Sequence, residues 1–253
     1  METFGDVTVD LSGGQVAEVE MHRPPANYFD TDLLAGIVDG IAWADGRGCR
    51  AIVLCSEGRH FCAGMDFARS NEARSDAIRT LYDRAIALVD GPLPMVVAVQ
   101  GAAIGGGLGL ALAGDFRVGS PDSRFAANFA RLGFHQGFGL SLTLPRAVGH
   151  QRALELLVTG RRIDGEEALR IGLCDRLAED PRAGAHGLAA EVAASAPLAV
   201  RSIRRTQRSG LTAGFAAAVE HERLEQQRLM GTDDFGEGIA ASLERREPRF
   251  SGN

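Results

Sequence analysis

Short apolar runs of strand length recur along the first two thirds of the chain. Two of them, residues 7–11 and 16–21, flank a Ser-Gly-Gly-Gln turn and predict a β-hairpin. Later runs are bounded by polar or turn residues and predict four more strands, at 51–55, 95–99, 115–118 and 173–177.

Apolar residues at helical spacing predict helices between these strands. The first is capped by Thr31 or Asp32 and runs to about Ala44, and the second begins at Ser75 or Asp76. Shorter helices are predicted in three further places: after Gly106, over 150–158, and over 166–171, where Asp164 and Glu167 form a capping box.

The last quarter of the chain is predicted to be helical from about Pro181 onward. Breaks are expected at three helix-disfavouring residues: Pro197, Gly210 and Gly231. Residues 125–139, rich in glycine and aromatic side chains, predict an irregular pocket wall. Alternating strands and helices before an all-helical end predict an α/β core over 1–195 and a C-terminal helical region over 196–253.

Composition narrows the possible partners. The 253 residues are 45% hydrophobic, enough for a sizeable core, and the formal net charge is −6. This acidic balance argues against nucleic acid as the main partner. The basic stretch 201–208 is predicted to be a solvated or subunit-contact helix face.

Cysteine spacing and the N-terminus predict a cytoplasmic protein. None of the four cysteines forms a CxxC pair, which favours reduced thiols and no metal site. The first residues are acidic and lack an apolar signal core. No apolar run reaches the roughly 18 residues that a membrane span needs, so no membrane partner is expected.

The most informative chemical feature is the glycine-rich turn Gly-Ala-Ala-Ile-Gly-Gly-Gly-Leu-Gly at 101–109. It joins the predicted strand 95–99 to an apolar helix. Consecutive glycines leave backbone N–H groups open to a ligand oxygen, and the start of a helix favours negative charge. A second strand leads in the same way through small residues to Met65, so the N–H groups of the two turns can converge on one oxygen. No glutamate occurs between Ala73 and Ala153.

The two turns and their flanks closely resemble the crotonase superfamily, the enoyl-CoA hydratase/isomerase family. The resemblance is carried by HFCAGMDF at 60–67 and VQGAAIGGGLGLALAGDFRV at 99–118. Three downstream segments match in order: SRFAANFARLGFHQGFGLSLTLPRAVG at 123–149, ALELLVTG at 153–160 and EEALRIGLCDRL at 166–177. The match extends from about Val7 to Phe250.

This resemblance implies an α/β fold, a spiral of ββα repeats with a C-terminal helical region that assembles homotrimers or dimers of trimers. It implies an acyl-CoA thioester as substrate, with coenzyme A as part of that substrate and no separate cofactor or metal. The thioester oxygen is then bound by the backbone N–H groups of Met65 and Gly106, which stabilise an enolate.

Further contacts with the substrate follow from the same resemblance. It implies that five residues contact coenzyme A, the last from a neighbouring subunit: Arg23, Ala26, Cys62, Ala63 and Phe250. Asp66 directly follows Met65 and is expected either to cap the next helix or to take part in proton transfer. Cys62 is expected to pack as a small residue rather than act as a nucleophile, since no histidine partner stands at usable spacing.

The chain departs from the family at the positions of the two catalytic glutamates, which match Gly109 and Phe129. Gly137 matches the alternative acid of dienoyl-CoA isomerases and a dehalogenase branch. None of these side chains takes a proton, so the standard two-glutamate hydration is not expected, although Gly109 and Phe129 stay in the predicted substrate site. His135 is the first candidate for proton transfer, because imidazole titrates near neutral pH; the alternative is a hydrogen-bonded wall residue.

The sequence therefore predicts an acyl-CoA-processing lyase or isomerase that stabilises a thioester enolate. Two alternatives stay open. One is a non-catalytic acyl-CoA-binding protein that keeps the site, and the other is a crotonase-type hydrolase or decarboxylase. Decarboxylation needs less proton transfer, because loss of CO2 generates the enolate directly.

Overall fold

A seven-stranded β-sheet forms the centre of the computed structural model, which describes residues 1–11, 14–65 and 75–253, without the side chains of 75–77. Its strands are β1 (Glu2–Phe4), β2 (Val7–Asp10), β3 (Val16–Met21), β4 (Ala51–Ser56), β5 (Met95–Val99), β7 (Phe116–Gly119) and β10 (Arg176–Leu177). A three-stranded sheet combines β6 (Ala102–Ile104), β8 (Arg124–Ala126) and β9 (Ile163–Asp164).

The large sheet is mixed, with strand order β1-β2-β3-β4-β5-β7-β10. The predicted hairpin is confirmed, because β2 pairs antiparallel with β3. The pairs from β3 to β10 are parallel. Every residue of β4 and β5 is buried, which explains their continuous apolar sequence.

Helices cover both faces of this sheet. The helices of the described residues, including those packed on other helices, are α1 (Thr31–Asp45), α2 (Ser75–Val89), α3 (Gly106–Ala113), α4 (Leu140–Val148), α5 (His150–Thr159), α6 (Gly165–Arg170), α7 (Pro181–Ala193), α8 (Pro197–Leu229) and α9 (Asp233–Glu244). A short 3₁₀ helix spans Asn128–Leu132. α7 packs on one face through four apolar residues: Ala185, Leu188, Ala189 and Ala193. The larger core, with residues of α1, α2 and α3, fills the other face.

Several element boundaries differ from the sequence predictions. Asp30, and not Thr31 or Asp32, caps α1, since its carboxylate accepts a hydrogen bond from Leu33 N at 2.9 Å. The last strand begins at Arg176, three residues later than predicted. α4 was not predicted, because its start lies next to the glycine-rich segment 125–139.

The break predicted at Gly210 is wrong, because α8 runs through it as one helix of 33 residues. Buried side chains follow at helical spacing, at Leu211, Phe215 and Val219, and their packing outweighs the low helix propensity of one glycine. The helix packs on α2 and α4. None of the helices in the described ranges has the length and apolar character needed to cross a membrane.

Candidate functional site

Two strand-to-helix turns lie side by side at one edge of the large sheet. The turn after β4 reaches Met65, and the turn after β5 reaches Gly106 at the start of α3. Parallel pairing joins them: Cys62 N donates to Ala102 O at 3.0 Å, and Ile104 N donates to Cys62 O at 3.0 Å. The main chain therefore fixes the relative position of the two turns.

The close approach of these turns requires glycine at specific places. Gly64 has φ +94°, and a Cβ atom built there would lie 3.5 Å from Gly106 N and 3.1 Å from Ile104 O. A Cβ atom on Gly107 would lie 2.1 Å from Cys62 O, a distance that no side chain tolerates. Any larger residue at 107 would separate the two turns.

Within the described ranges, the two amides predicted to bind an oxygen lack a main-chain acceptor. Among residues 1–11, 14–65 and 75–253, neither Met65 N nor Gly106 N donates to a main-chain carbonyl in the loops and caps. Gly106 is the first residue of α3, whose leading N–H groups have no intrahelical partner. Both residues line the same cavity. The site thus has two available donors next to an open space.

This cavity measures about 170 Å³ and is mostly apolar. Large apolar side chains make up half of its described lining residues: Phe29, Met65, Ile78, Leu81, Phe129, Leu132, Phe134, Phe138, Ile239 and Leu243. Its polar side chains are uncharged: Tyr28, Tyr82, Asn128, Gln226 and Ser242. The described part of the lining includes no carboxylate and no imidazole.

Gly109 lies where a larger side chain would meet Phe138. A Cβ atom on Gly109 would stand 2.6 Å from Phe138 Cβ. Phe138 has φ +58°, an unusual conformation for a bulky residue, and its ring packs edge-on against Phe29. Phe129 lies in the cavity wall and is 7% exposed. The positions matched to glutamates thus carry tightly packed apolar atoms.

His135 stands outside the described cavity lining. Its Nδ1 lies 2.8 Å from Gln136 O, and its ring meets the ring of His221 edge-on at 5.8 Å. Its carbonyl oxygen accepts a hydrogen bond from Gln226 Nε2. The role of His135 in proton transfer therefore stays a prediction without geometric support.

Four of the residues predicted to contact coenzyme A lie on two segments that a hydrogen bond joins, one with Arg23 and Ala26 and the other with Cys62 and Ala63. Ala63 N donates to Ala26 O at 2.9 Å. Arg23 forms ion pairs with Asp6, at 2.7 Å, and with Asp30. A contact between Arg23 and a phosphate would therefore compete with two carboxylates.

The other predicted contacts differ in accessibility. The Cys62 side chain is fully buried, and burial raises the pKa of its thiol to about 12, which agrees with packing and not with nucleophilic attack. Phe250 is 44% exposed near the end of the chain. Asp66 lies outside the described residues.

Sequence reasoning missed the polar groups that tertiary structure brings to the cavity. Tyr82 lies on α2 at the same helical spacing as that helix's apolar residues, so its position indicated packing and not a polar contact. Nothing in the sequence distinguished Gln226, which lies on α8. The Tyr82 hydroxyl donates to Gln226 Oε1 at 2.9 Å. Asn128 directly precedes Phe129, and its Oδ1 would lie 3.2 Å from a Cβ atom on Gly105.

A buried carboxylate supports the wall behind the cavity. Glu222 on α8 is fully buried and accepts hydrogen bonds from Gly139 N and Ser141 N, both at 2.7 Å, at the start of α4. Burial raises the pKa of Glu222 to about 7, although these hydrogen bonds favour its charged form. This contact holds the segment that carries Gly137 and Phe138.

One cluster among the described residues has donors suited to a metal ion: Glu18, Glu20 and Cys55. Arg182 already donates to both carboxylates, with Nε and Nη1 at 2.8 Å from Glu18 and Glu20. Its guanidinium holds the pKa of Glu18 at about 2. The geometry is that of an arginine–carboxylate network.

Comparison with known proteins gives a consistent result across almost the whole chain. The profile described as enoyl-CoA hydratase/isomerase matches residues 12–253. A probable enoyl-CoA hydratase of Bacillus subtilis is 32% identical, over 94% of this chain and 95% of its own length. A cyclohexa-1,5-dienecarbonyl-CoA hydratase of Thauera aromatica is 33% identical, over 94% of this chain and 93% of its own length.

A solved structure shows the same fold. The crystal structure of an enoyl-CoA hydratase/isomerase from Pseudoalteromonas atlantica superposes with a TM-score of 0.86 at 31% identity. The superposition covers 97% of this chain and all of that one.

Proposed function

Because this chain belongs to the enoyl-CoA hydratase/isomerase family, whose crotonase-type enzymes process acyl-CoA, we propose that it stabilises a thioester enolate between two backbone amides. Met65 N and Gly106 N are the donors to the thioester oxygen. The proposal rests on one observation above all. The Cys62–Ala103 pairing holds two turns together, and Met65 and Gly106, one from each turn, line the same cavity. Within the described residues, neither of their amides has a main-chain acceptor in the loops and caps.

Charge on the thioester oxygen grows as the α-carbon gains carbanion character. Donors fixed in advance then bind the transition state more tightly than the ground state, which is the requirement for catalysis. Removing one such donor from an enzyme typically lowers kcat by about 10²–10³. Gly106 adds the positive end of the α3 dipole.

Proton transfer in this proposal uses a group other than glutamate. His135 is the first candidate, and turnover that survives His135→Ala would exclude it. A water molecule held at Asn128 is the alternative, since this amide lines the cavity with Gly105 and Gly106, whereas His135 lies outside the described lining.

Gly106→Pro tests the amide directly. Proline removes the N–H yet suits the first position of a helix, which Gly106 occupies in α3. Gly106→Ala is the matched control: it keeps the N–H and introduces the same Cβ atom, 2.5 Å from Phe29 Cζ. We expect kcat for a 2-enoyl-CoA to be about 10²-fold lower in the proline variant than in the alanine variant.

Loss of the conjugated thioester absorbance measures this turnover, and thermal unfolding of both variants shows whether each is folded. Equal rates in two folded variants would contradict a role for the Gly106 amide.

The absence of carboxylate and imidazole groups from the described lining favours a second candidate, an acyl-CoA-binding protein without turnover. Calorimetric titration with crotonyl-CoA, run beside the absorbance assay, separates the two. Binding with turnover supports the enzyme, and binding without turnover of any short 2-enoyl-CoA supports the binding protein. Absence of binding would contradict both.

We also propose assembly as a homotrimer or a dimer of trimers. Large apolar side chains are exposed on the C-terminal helices and tail of the single chain: Leu198, Ile203, Leu224, Leu243 and Phe250. Burial of such residues between subunits is a common source of oligomer stability. Sedimentation equilibrium gives the subunit number directly, and a monomer at micromolar concentration would contradict this assembly.

A further inference from the structure

Two of the neutral polar side chains of the cavity, Tyr82 and Gln226, meet each other. Tyr82 is 7% exposed and Gln226 is 4% exposed, and both contribute to the lining. The Tyr82 hydroxyl donates to Gln226 Oε1 at 2.9 Å, and Gln226 Nε2 donates to His135 O at 3.1 Å. These contacts fix both groups, since each is held by a partner on a different element of the fold.

Gly137 makes room for this pair. A Cβ atom there would lie 2.5 Å from Tyr82 Oη and 2.4 Å from Gln226 Nε2. Any other residue at 137 would push the hydroxyl and the amide away from the wall. The two polar groups, from α2 and α8, thus occupy the space that a side chain at 137 would need.

The hydroxyl stays protonated over the ordinary pH range. Burial raises the pKa of Tyr82, and the nearby negative charge of Glu222 raises it further. Tyr82 is therefore a neutral group that donates one hydrogen bond and accepts others, and it is not a base. An amide and a phenol together can form hydrogen bonds with an uncharged oxygen. Neither group carries the positive charge with which a cationic residue would stabilise an anion.

We propose that Tyr82 and Gln226 form a polar subsite for an uncharged oxygen, a hydroxyl or carbonyl, carried by the acyl group of the substrate. The substrate class is then a short or cyclic acyl-CoA with an oxygen substituent on its chain or ring. This inference rests on the proposed acyl-CoA function of the cavity.

Cavity size limits the acyl group. The volume of about 170 Å³ is close to that of an apolar protein cavity of about 150 Å³ that binds benzene. Phe29 and Phe138, whose ring centroids lie 5.1 Å apart, form part of the wall that sets this volume. The lining therefore fits an acyl group of about six carbons.

Matched ligands test the subsite without depending on turnover. The probes are butyryl-CoA and its 3-hydroxy and 4-hydroxy derivatives, with affinities measured by calorimetry. One added hydrogen bond in a preformed site strengthens binding by about 2–12-fold. We expect at least one hydroxylated probe to bind more tightly than butyryl-CoA, and Tyr82→Phe to remove this advantage while the affinity for butyryl-CoA is kept.

Gln227→Met is the matched variant, because Gln227 neighbours Gln226 on α8 but is exposed and does not line the cavity. The hydroxyl preference should survive in Gln227→Met and fall in Gln226→Met. A preference that persists in both Tyr82→Phe and Gln226→Met, or no preference in the parent protein, would overturn the subsite alone. Failure of butyryl-CoA to bind at all would overturn the proposed function together with it.

Discussion

Glycines determine the geometry of the site because neighbouring atoms take the space that their side chains would otherwise fill. Gly64 and Gly107 let the main chains of the two turns touch, and Gly137 admits the side chains of Tyr82 and Gln226. Gly109, like Gly137, faces a side chain, since Phe138 Cβ lies 2.6 Å from a Cβ atom built on Gly109. A carboxylate at 109 would need Phe138 to move first.

Gly109→Ala should destabilise the protein by about 1–3 kcal/mol, because the added methyl group overlaps Phe138. In a Phe138→Gly background the cost should be smaller, since the colliding atom is gone and glycine also suits φ +58° at that position. Urea unfolding of the parent, both single variants and the double variant measures the difference between the cost of Gly109→Ala in the two backgrounds.

Gly187→Ala in α7 is the control, because nothing lies within 4 Å of its added Cβ atom, and it should be neutral or slightly stabilising. An equal cost of Gly109→Ala in both backgrounds would contradict the proposed collision.

Among the elements, α8 does more than cover the core. From this helix Glu222 accepts the Gly139 and Ser141 amides at the start of α4, and Gln226 reaches into the cavity. No residue of α4 caps its own start, since Gly139 offers no side chain. A carboxylate supplied by α8 takes this role, and it faces the positive end of the α4 dipole.

Glu222→Gln should change how stability depends on pH. The pKa of Glu222 is raised to about 7, so the folded protein holds a proton that the unfolded chain releases near 4.5. Stability from this group is therefore fully present below about pH 4.5 and is lost as pH rises through 7, by on the order of 3 kcal/mol. The stability of the parent relative to Glu222→Gln should accordingly fall between pH 5 and pH 8.

Denaturant unfolding at several pH values measures this difference. Glu220→Gln on the same helix is the control, because Arg223 lowers the pKa of the exposed Glu220 and leaves it ionised across the window. A stability difference for Glu222→Gln that does not change with pH would show that Glu222 is not buried with a raised pKa.

At the scale of the whole molecule, the side chain of one acidic residue connects the C-terminal helix α8 to the large sheet. Asp115 directly precedes β7 and accepts hydrogen bonds from Met95 N, Arg204 Nε and Arg208 Nη1. Of the two alternatives predicted for 201–208, a solvated or a subunit-contact face, the solvated one is therefore wrong at Arg204 and Arg208, which are largely buried. Arg208 also donates to two carbonyl oxygens, of Val89 and Ala113.

Asp115→Ala should lower the free energy of unfolding by about 3–5 kcal/mol, because it leaves two buried guanidinium groups without their carboxylate. Thermal or urea unfolding measures the loss. Glu191→Ala, which breaks the exposed pair with Arg176, is the control and should change stability little. A loss of stability as small as that of Glu191→Ala would contradict a stabilising role for the contacts of Asp115 with Arg204 and Arg208.

The sequence by itself determined six of the seven strands of the large sheet, most of the helices and the two turns of the site, because apolar periodicity and glycine act within one segment. It also carried the family resemblance, which the profile match confirms. The start of α4 and the continuity of α8 through Gly210 could not be predicted from the sequence, since packing against other elements decides them.

Only the tertiary structure decided which polar groups share the cavity. Tyr82, Asn128 and Gln226 are far apart in sequence, and His135 lies much closer to Asn128 along the chain than Gln226 does, yet it stands outside the lining. A buried polar side chain is placed by long-range contacts such as Tyr82 with Gln226, and no local pattern records them. The same holds for Glu222 and Asp115, whose partners come from other elements of the fold.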